Sequence, residues 1–341
     1  MTDLRVAVVG VTGAVGQEML DVLESRRFPV AELLPLASER SRGKKVSFRG
    51  EALDVRVLDN DSFKGVDLAL FSAGGGTSKE MAPVAVKAGA VVVDNSSAFR
   101  MDSEVPLVVP EVNSSCVAKH KGIVANPNCT TIIMVMGIAP IHRLSPIQRI
   151  VASTYQAASG AGAKGMDALR RELSGEGEPS ATVPANTQAK DSPFPHRLAG
   201  NLIPRIDVVG DNGYTREEMK MVLETRKIMS LPSIPISATC VRVPIERAHC
   251  EAVQVTTAKL LSLHEIRQAI QAAPGVSVLD APHDDVYPTP VMVSGADDVQ
   301  VGRIRKHPDE PNTYDLWVAG DQIRKGAALN AVQIAEVLFK V

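Results

Sequence analysis

The sequence LRVAVVGVTGAVGQEML, residues 4–20, decides the fold of the first part of the chain. Its apolar start is typical of a buried strand, its glycines indicate a tight turn, and the apolar spacing that follows predicts a helix. A glycine turn between a strand and a helix lets a pyrophosphate approach the backbone and meet the helix N-terminus. The spacing is GxxGxxG, which a turn used only for packing can also show. We interpret the stretch as the start of a dinucleotide-binding domain.

The residues after the second predicted strand bear on which dinucleotide binds. An apolar run over residues 33–37 leads into Ser38, Glu39, Arg40 and Ser41. An acidic side chain here favours NAD because it accepts from the ribose 2′-hydroxyl, whereas a 2′-phosphate needs hydroxyl donors and an arginine. The two serines and Arg40 favour NADP, provided that Glu39 points away. A solvated basic loop is the alternative.

More strands follow in the alternating order of a parallel sheet. The strand-like runs are residues 66–73, 91–94, 107–109 and 123–125. A helical stretch to about residue 88 separates the first two. In such a sheet, ligands bind at the edge formed by the carboxyl ends of the strands. The glycine triplet 74–76 and Arg100 should lie on this edge, although a single arginine is more often a surface charge than an anion ligand.

The run NPNCTT, residues 126–131, places a single thiol between a turn and an apolar segment. Pro127 disfavours a helical conformation at Asn126 and Asn128 is a good N-cap residue, so Cys129 should lie near the start of a helix. There the helix dipole favours thiolate over thiol, and backbone N–H groups can bind an oxyanion. Cys129 is therefore a candidate nucleophile. A buried cysteine that only packs is the alternative.

Longer strands replace the alternating pattern in the second part of the chain. They are predicted at residues 147–155, 236–243, 250–258, 299–305 and 313–319. The second and third are joined by a short connection, which should bring Arg242 and His249 near one another. Such strands predict an α+β domain.

Three further stretches complete this part. Residues 214–229 form an amphipathic helix on which Glu217 and Lys220 share a face, as a solvated ion pair also would. The stretch from residue 174 to about 200 is rich in Gly, Pro, Ser and Asn and is predicted to be an extended excursion. Residues 325–338 should form an amphipathic C-terminal helix.

Length and composition exclude several classes of protein. The chain has 341 residues, enough for two domains, with 45% hydrophobic and 22% charged residues. A net charge of -2, spread over the whole length, gives no reason to expect nucleic acid or a membrane surface as a partner. The N-terminus shows no signal segment, so a cytoplasmic protein is expected. The four cysteines show no metal-binding spacing, and free thiols without a metal are predicted.

Taken together, eight motifs resemble those of the aspartate-semialdehyde dehydrogenase family, in the family's order and over almost the whole chain. They are GVTGAVG (10–16), SAGGGTS (72–78), NSSAFR (95–100), NPNCTT (126–131), QAASGAG (156–162), EEMK (217–220), RVPIERAH (242–249) and RKGAALNA (324–331). The resemblance implies the NADPH-dependent reductive dephosphorylation of L-aspartyl 4-phosphate through a cysteine thioester, in lysine, methionine and threonine biosynthesis. It also implies a Rossmann-type NADP-binding domain, residues 1–131 and 325–341, and an α+β catalytic and dimerisation domain, residues 132–324, in a homodimer.

The resemblance further implies roles for individual residues. The catalytic residues would be Cys129 as nucleophile, His249 as acid/base and Gln156 to orient the acyl group. The substrate-binding residues would be Arg242 for the carboxylate, Glu217 for the amine, and Arg100, Asn128 and Lys220 for phosphate. The NADP contacts would be Gly10, Thr12, Gly13, Val15, Ser38, Arg40, Ser41, Ser159, Gly160 and Gln322.

Two alternatives to this function stay open on the sequence alone. The first is another acyl-phosphate or acyl-thioester reductase of the same fold, such as an N-acetyl-glutamyl-phosphate or malonyl-CoA reductase. Only a free amine needs a carboxylate such as Glu217, which distinguishes these substrates. The second is a nucleotide-binding paralogue without catalysis, which would have no need of the thiol, the histidine and the arginine together.

Overall fold

The computed structural model describes residues 3–175 and 192–341. The chain divides into two compact units: one is Met1–Ile132, Lys227–Ser230 and Ile323–Val341, and the other is Ile133–Arg226 and Leu231–Gln322. Much of the excursion predicted between residues 174 and 200 lies outside the described residues.

The first unit contains a parallel sheet with helices. In chain order its elements are β1 (Leu4–Val9), α1 (Ala14–Ser25), β2 (Val30–Ala37), β3 (Lys45–Phe48), β4 (Glu51–Asp54), β5 (Arg56–Val57), β6 (Leu68–Phe71), α2 (Gly75–Lys87), β7 (Val91–Asp94), α3 (Pro110–Asn113) and β8 (Ile123–Ala125). The strand order is β5-β2-β1-β6-β7-β8, and every neighbouring pair is parallel. The segments that follow β1, β2, β6, β7 and β8 therefore lie along one edge of the sheet.

The prediction of a strand at residues 107–109 is wrong. Leu107 forms only an isolated bridge with Ala125. Prolines at 106 and 110 bound the segment, and the missing N–H of a proline cannot extend a ladder.

The glycine turn after β1 requires two of its glycines. Gly10 has φ +83°, and a Cβ there would lie 2.9 Å from the backbone of Ser72, directly after β6. A Cβ on Gly16 would lie 2.4 Å from the Gly10 carbonyl oxygen. Gly10 therefore lets β1 and β6 lie close together, and Gly16 lets α1 pack closely on the turn.

The remaining elements follow in chain order. They are α4 (Cys129–Leu144), β9 (Ile147–Gln156), α5 (Gly162–Leu173), α6 (Arg216–Ile228), β10 (Ile236–Arg242), β11 (His249–Thr257), α7 (Leu263–Gln271), β12 (Val276–Val278), α8 (Pro290–Val293), β13 (Val299–Lys306), β14 (Thr313–Gly320) and α9 (Leu329–Phe339). The C-terminal helix was predicted from residue 325, but in the structure a π turn over Arg324–Ala328 precedes α9. Lys325, which was expected on the polar face, is buried.

The second unit contains a mixed sheet with the order β10-β9-β11-β14-β13-β12. The short connection between β10 and β11 suggested neighbouring strands, but β9 lies between them, parallel to β10 and antiparallel to β11. Arg242 is the last residue of β10 and His249 is the first residue of β11. Gln156, the last residue of β9, lies between them at the same edge of the sheet. All three side chains are buried.

The core of the first unit lies on both faces of its sheet. On one face, Met19 and Leu23 of α1 pack with Leu329 and Val332 of α9 in one apolar cluster. On the other, residues of α2 such as Met81 join a second cluster with β1 and β6. The C-terminal helix is therefore an integral part of the first unit.

Candidate active site

Cys129 is the first residue of α4 and is half-buried. Asn128 caps the helix: its Oδ1 accepts from the N–H groups of Thr130 at 3.1 Å and Thr131 at 3.4 Å, and its backbone oxygen accepts from Ile132 at 2.9 Å. The predicted position of the sulfur at a helix N-terminus is thus confirmed. Because the cap occupies two N–H groups of the first turn, those two groups cannot both serve an oxyanion as the sequence suggested.

Arg100 is directed into the first unit. It is 8% exposed, and it donates from Nε to the Asn126 carbonyl oxygen at 2.9 Å and from Nη2 to the Asn95 carbonyl oxygen at 2.8 Å. The alternative of a surface charge does not apply. The structure brings its guanidinium to the turn that precedes Cys129, where Asn128 also lies.

Two of the predicted cofactor-binding residues meet at the edge of the parallel sheet. Thr12, in the glycine turn, and Ser41, after β2, lie 3.1 Å apart through their hydroxyl oxygens. Gly13 and Val15 belong to the same turn and the start of α1, and the Val15 side chain packs against the apolar cluster.

Glu39 forms a surface salt bridge with a neighbouring arginine. Its carboxylate pairs with Arg42, with 2.6 Å from Nε to Oε1, and the hydrogen bond from Arg42 lowers the pKa of Glu39. Ser38 and Arg40 are exposed beside it. The carboxylate is held by a neighbouring arginine on the surface.

In the second unit, Gln156, Glu217 and Lys220 form a connected set. The Gln156 side chain accepts from the Thr154 hydroxyl at 3.0 Å and donates to Glu217 Oε1 at 3.1 Å, and Glu217 Oε2 accepts from Lys220 Nζ at 2.9 Å. Burial acts to lower the pKa of Lys220, but the carboxylates of Glu217 and Asp207 outweigh it and raise the pKa. Glu217 is only 6% exposed, so it is a buried carboxylate and not part of a solvated pair.

His249 is fully buried at the start of β11. Its Nδ1 accepts from the Ala157 N–H at 3.1 Å, so the neutral ring carries its proton on Nε2. Nε2 has no hydrogen-bond partner among the described residues. Burial, and then the positive charge of Arg242, lower the pKa of His249 to about 3. The ring is therefore neutral and presents a single N–H donor.

The loop after β9 lies against Arg242. Arg242 Nη1 donates to the Ala157 carbonyl oxygen, and its guanidinium lies 5.8 Å from the centre of the Phe194 ring. A Cβ on Gly160 would lie 2.6 Å from Nη1. Gly160 is therefore needed for the guanidinium to occupy this position.

Gln322 and Ser159 lie beside the histidine strand. Gln322 Oε1 accepts from the Ala248 N–H at 2.7 Å, and its Nε2 donates to the Ser159 hydroxyl. Both side chains are nearly buried. The structure thus groups Ser159 and Gln322, two predicted cofactor contacts, next to His249.

The sequence interpretation missed several buried carboxyl groups in the second unit, among them Glu218 and Glu251. Glu218 accepts from the N–H of Thr215 at 2.7 Å and of Cys240 at 3.0 Å, and the pattern TREE at residues 215–218 carries the capping-box signal that could have shown the first contact. Glu251 is fully buried, and neither of its oxygens has a hydrogen-bond partner within residues 3–175 and 192–341. Burial raises its pKa well above the usual value.

Other predictions concern the whole chain. All four cysteines lie in the described part of the chain, and none forms a disulfide. Among the described residues, no three histidine, cysteine or acidic side chains are grouped so that they could hold a metal ion. No helix in the same residues has the length and apolar character needed to cross a bilayer.

A Rossmann-type unit, a mixed-sheet unit and a thiol at a helix N-terminus define the class of dinucleotide-linked dehydrogenases. Residues 5–120 match the family described as "Semialdehyde dehydrogenase, NAD binding domain", and residues 138–325 match "Semialdehyde dehydrogenase, dimerisation domain". Aspartate-semialdehyde dehydrogenases from Aquifex aeolicus and from Synechocystis are 52% and 53% identical, with 98% and 99% of this chain and 98% of each relative covered.

Solved structures give the same result. Aspartate semialdehyde dehydrogenase II from Vibrio cholerae is 44% identical with a TM-score of 0.92, and 99% of both chains is covered. The same enzyme complexed with ASA is 43% identical with a TM-score of 0.91, with 100% and 99% covered. The chain therefore belongs to the aspartate-semialdehyde dehydrogenase family, and the predicted family and fold class are confirmed.

Proposed function

We propose that the chain catalyses the NADPH-dependent reductive dephosphorylation of L-aspartyl 4-phosphate to L-aspartate 4-semialdehyde through a thioester on Cys129. The observation that carries this proposal is the thiol at the first position of α4, behind the Asn128 cap, in a chain similar over its whole length to aspartate-semialdehyde dehydrogenases. The step at Cys129 is an acyl transfer. The sulfur attacks the carbonyl carbon, the bond to the phosphate oxygen breaks, and phosphate leaves.

Arg242 and Glu217 are the groups that we assign to the aspartyl part of the substrate. A guanidinium can bind a carboxylate through two parallel hydrogen bonds, and a buried carboxylate suits an ammonium group. Gln156 already donates to Glu217 in the protein, so it is placed to orient an acyl group bound beside that carboxylate. Arg100, Lys220 and the amide nitrogen of Asn128 are assigned to phosphate.

We assign His249 the role of stabilising the negative charge that develops on the reacting oxygen or sulfur. Its Nε2–H is available as a donor, and such a donor is typically worth about 3 kcal/mol of barrier. Transfer of a whole proton needs a second proton on the ring, which burial and Arg242 disfavour. A substrate carboxylate on Arg242 would offset that positive charge. We therefore propose that substrate binding favours the protonated ring. The second proton would lie on Nδ1, which must then give up its hydrogen bond from the Ala157 N–H, and Nε2–H would be the proton that is transferred and regained.

The residues around the glycine turn fit a dinucleotide, with NADP proposed over NAD. The close approach at Gly10 and Gly16 leaves a narrow backbone turn, and the pair of hydroxyls on Thr12 and Ser41 suits phosphate oxygens. Ser38 and Arg40 are assigned to the 2′-phosphate because Arg42 pairs with the carboxylate of Glu39, which lies between them in the sequence. Gly13, Val15, Ser159, Gly160 and Gln322 complete the assigned contacts. When bound, the cofactor supplies the hydride that takes the acyl group to the aldehyde level.

We further propose a cytoplasmic homodimer in which residues 1–131 and 325–341 form the NADP-binding domain and residues 132–324 the catalytic and dimerisation domain. One face of the second unit's sheet is buried and the other is partly exposed. The partly exposed face carries Val151, Tyr155 and Trp317, and the two rings lie 5.3 Å apart. Arg149, Gln254 and Asp315 lie on the same face, and a cluster of aromatic and apolar side chains among polar ones is typical of a subunit interface.

The test is a steady-state assay of the reverse reaction, in which the chain oxidises L-aspartate 4-semialdehyde in the presence of phosphate and NADP or NAD. We expect turnover with the free-amine substrate, dependence on phosphate and a lower KM for NADP. N-acetyl-glutamate semialdehyde is the matched substrate without a free amine. Faster turnover of that compound would contradict the proposal. Glu217→Gln should selectively raise the KM for the substrate with the free amine.

A further inference from the structure

A set of buried polar side chains lies behind the turn that presents Cys129. Asn126, 1% exposed, donates from Nδ2 to Asn95 Oδ1 at 2.8 Å and to the Ala327 carbonyl oxygen at 3.3 Å. Its Oδ1 accepts from Asn330 Nδ2 at 2.6 Å. Its backbone oxygen accepts from Arg100. Asn126 thus connects Asn330, on the C-terminal helix, with a proposed phosphate ligand and with the turn that leads to the nucleophile.

Asn330 is itself held in one orientation. Its Nδ2 also donates to the Val108 carbonyl oxygen at 2.9 Å, and its Oδ1 accepts from Lys325 Nζ at 2.9 Å. Lys325, 1% exposed, donates further to Glu111 and Gln333, each at 2.7 Å. The ammonium group can only donate, so it fixes which atom of the Asn330 amide is the oxygen.

Docking of α9 does not explain these groups. Leu329 and Val332 already bury the helix in the apolar cluster, and the exposed Arg26 pairs with Glu336 of the same helix at 2.6 Å. Buried ammonium and amide groups add little net stability, but they restrict a structure to one arrangement when every member is satisfied. The π turn over Arg324–Ala328 brings the Ala327 carbonyl oxygen to Asn126. Such turns interrupt the regular helix and are frequent at functional sites, so this one also points beyond helix docking.

We propose that Asn330, oriented by Lys325, is a positioning residue for the nucleophile: it fixes Asn126 and thereby the geometry of the turn before Cys129 and of the Arg100 side chain. The inference rests on the proposed role of Cys129. Asn330 contacts neither thiol nor substrate in this scheme. It acts through the backbone on the direction in which the sulfur is presented.

The test compares Asn330→Asp with Glu336→Ala in the full-length protein. The aspartate keeps the side-chain volume and the oxygen that accepts from Lys325, but it has no N–H to donate to Asn126 Oδ1. The Asn126 amide could then bond to the aspartate only by rotating to present its Nδ2. That rotation would break the hydrogen bond from Asn126 to Asn95. Glu336→Ala breaks a different tie of the same helix. The measurements are kcat, KM, Tm and the rate of alkylation of the peptide that contains Cys129 by iodoacetamide, followed by mass spectrometry.

We expect Asn330→Asp to lower kcat and the alkylation rate at least tenfold, with the KM for NADPH within about twofold of wild type. Glu336→Ala should lower Tm and leave both rates within about twofold. Wild-type rates in Asn330→Asp, or equal losses in Glu336→Ala at the same Tm, would overturn the proposal. If Asn330→Asp does not fold, Asn330→Ser, which keeps a hydroxyl donor, must show the same loss in smaller measure. Alkylation needs no substrate, so a wrong substrate assignment would appear separately as missing wild-type turnover.

Discussion

In the first unit the reactive groups lie on a turn and a helix end, whereas in the second they lie on strand ends and on a helix face among buried charges. Cys129 is backed by the neutral amides of Asn128 and Asn126. His249 and Glu217 are instead controlled by burial and by the charges of Arg242 and Lys220. Amides and arginine do not titrate between about pH 5 and 9. The hydrogen bonds that orient the nucleophile should therefore be insensitive to pH in this range, whereas the second unit depends on groups whose charge matters.

The strongest test of this contrast replaces one cysteine of each unit by alanine and compares the two variants. Cys129→Ala should lower turnover of L-aspartate 4-semialdehyde with phosphate and NADP by at least about 10³-fold, since no other group can carry the thioester. Binding of NADPH, measured by titration calorimetry, should be unchanged. Cys240→Ala is the control, because this thiol is fully buried in β10 and burial raises its pKa above the usual range. Retention of a tenth of wild-type turnover by Cys129→Ala would exclude the nucleophile assignment.

The next largest effect is expected at His249. His249→Asn should lower kcat by about 10²–10⁴-fold with little change in KM, because it removes the proton donor and not a binding group. His142→Asn is the matched control on α4, where the ring only accepts from a backbone N–H at 3.0 Å. A loss confined to KM would make His249 a binding residue.

The pH profile tests the same residue. Because the pKa of His249 in the free protein is about 3, the ring stays neutral from about pH 4.5 upward. The profile of kcat/KM reports the free enzyme, so it should show no ionisation near the ordinary histidine value of about 6.5. An inflection there that disappears in His249→Asn would contradict the neutral ring.

A smaller effect is expected at the rim of the first unit. Arg40→Ala should raise the KM for NADPH about tenfold and leave that for NADH nearly unchanged, because only NADPH carries the 2′-phosphate. Lys45→Ala removes the same charge from an exposed residue of β3 and should leave both KM values nearly unchanged. Equal losses for the two cofactors in Arg40→Ala would contradict the assignment of Ser38, Arg40 and Ser41 to that phosphate.

The contrast between the units also explains how much the sequence could predict. In the first unit, strands buried on both faces give continuous apolar runs, and glycine or proline marks their ends, so β1, β2, β6, β7, β8 and the start of α4 were predicted. The strand at residues 107–109 was wrong, and the short, mostly exposed β3, β4 and β5 were missed. In the second unit the strands were found, but their pairing was not. A short connection between β10 and β11 resembles a hairpin, and nothing in either strand indicates that β9 lies between them.

Side-chain partners were hardest to predict where they are far apart in sequence. Lys325 and Asn330 fit the polar face of an amphipathic helix, and only the fold reveals that Glu111 and Asn126 meet them in the core. Glu251 shares a face of β11 with Val253 and Val255, so it interrupts an apolar pattern and the sequence shows no reason for a carboxyl there. That face is buried under α4: a Cβ on Gly137 would lie 3.0 Å from Val318, the cross-strand neighbour of Glu251.

The smallest expected effect is on stability and comes from Glu251 in the second unit. Its pKa is raised in the folded chain, so above about pH 4.5 the unfolded state loses a proton that the folded state keeps, and stability falls as the pH rises. Glu251→Gln removes this term. It should raise Tm at pH 8 by a few degrees, given about 2–4 °C per kcal/mol in domains of this size, with little gain at pH 4.5. Glu246→Gln is the control, because the hydrogen bond from Arg170 lowers the pKa of this partly exposed carboxylate. Its loss should lower Tm at pH 8 and not raise it. A Tm gain for Glu251→Gln that is equal at both pH values would show that the carboxyl does not titrate differently in the folded and unfolded chain.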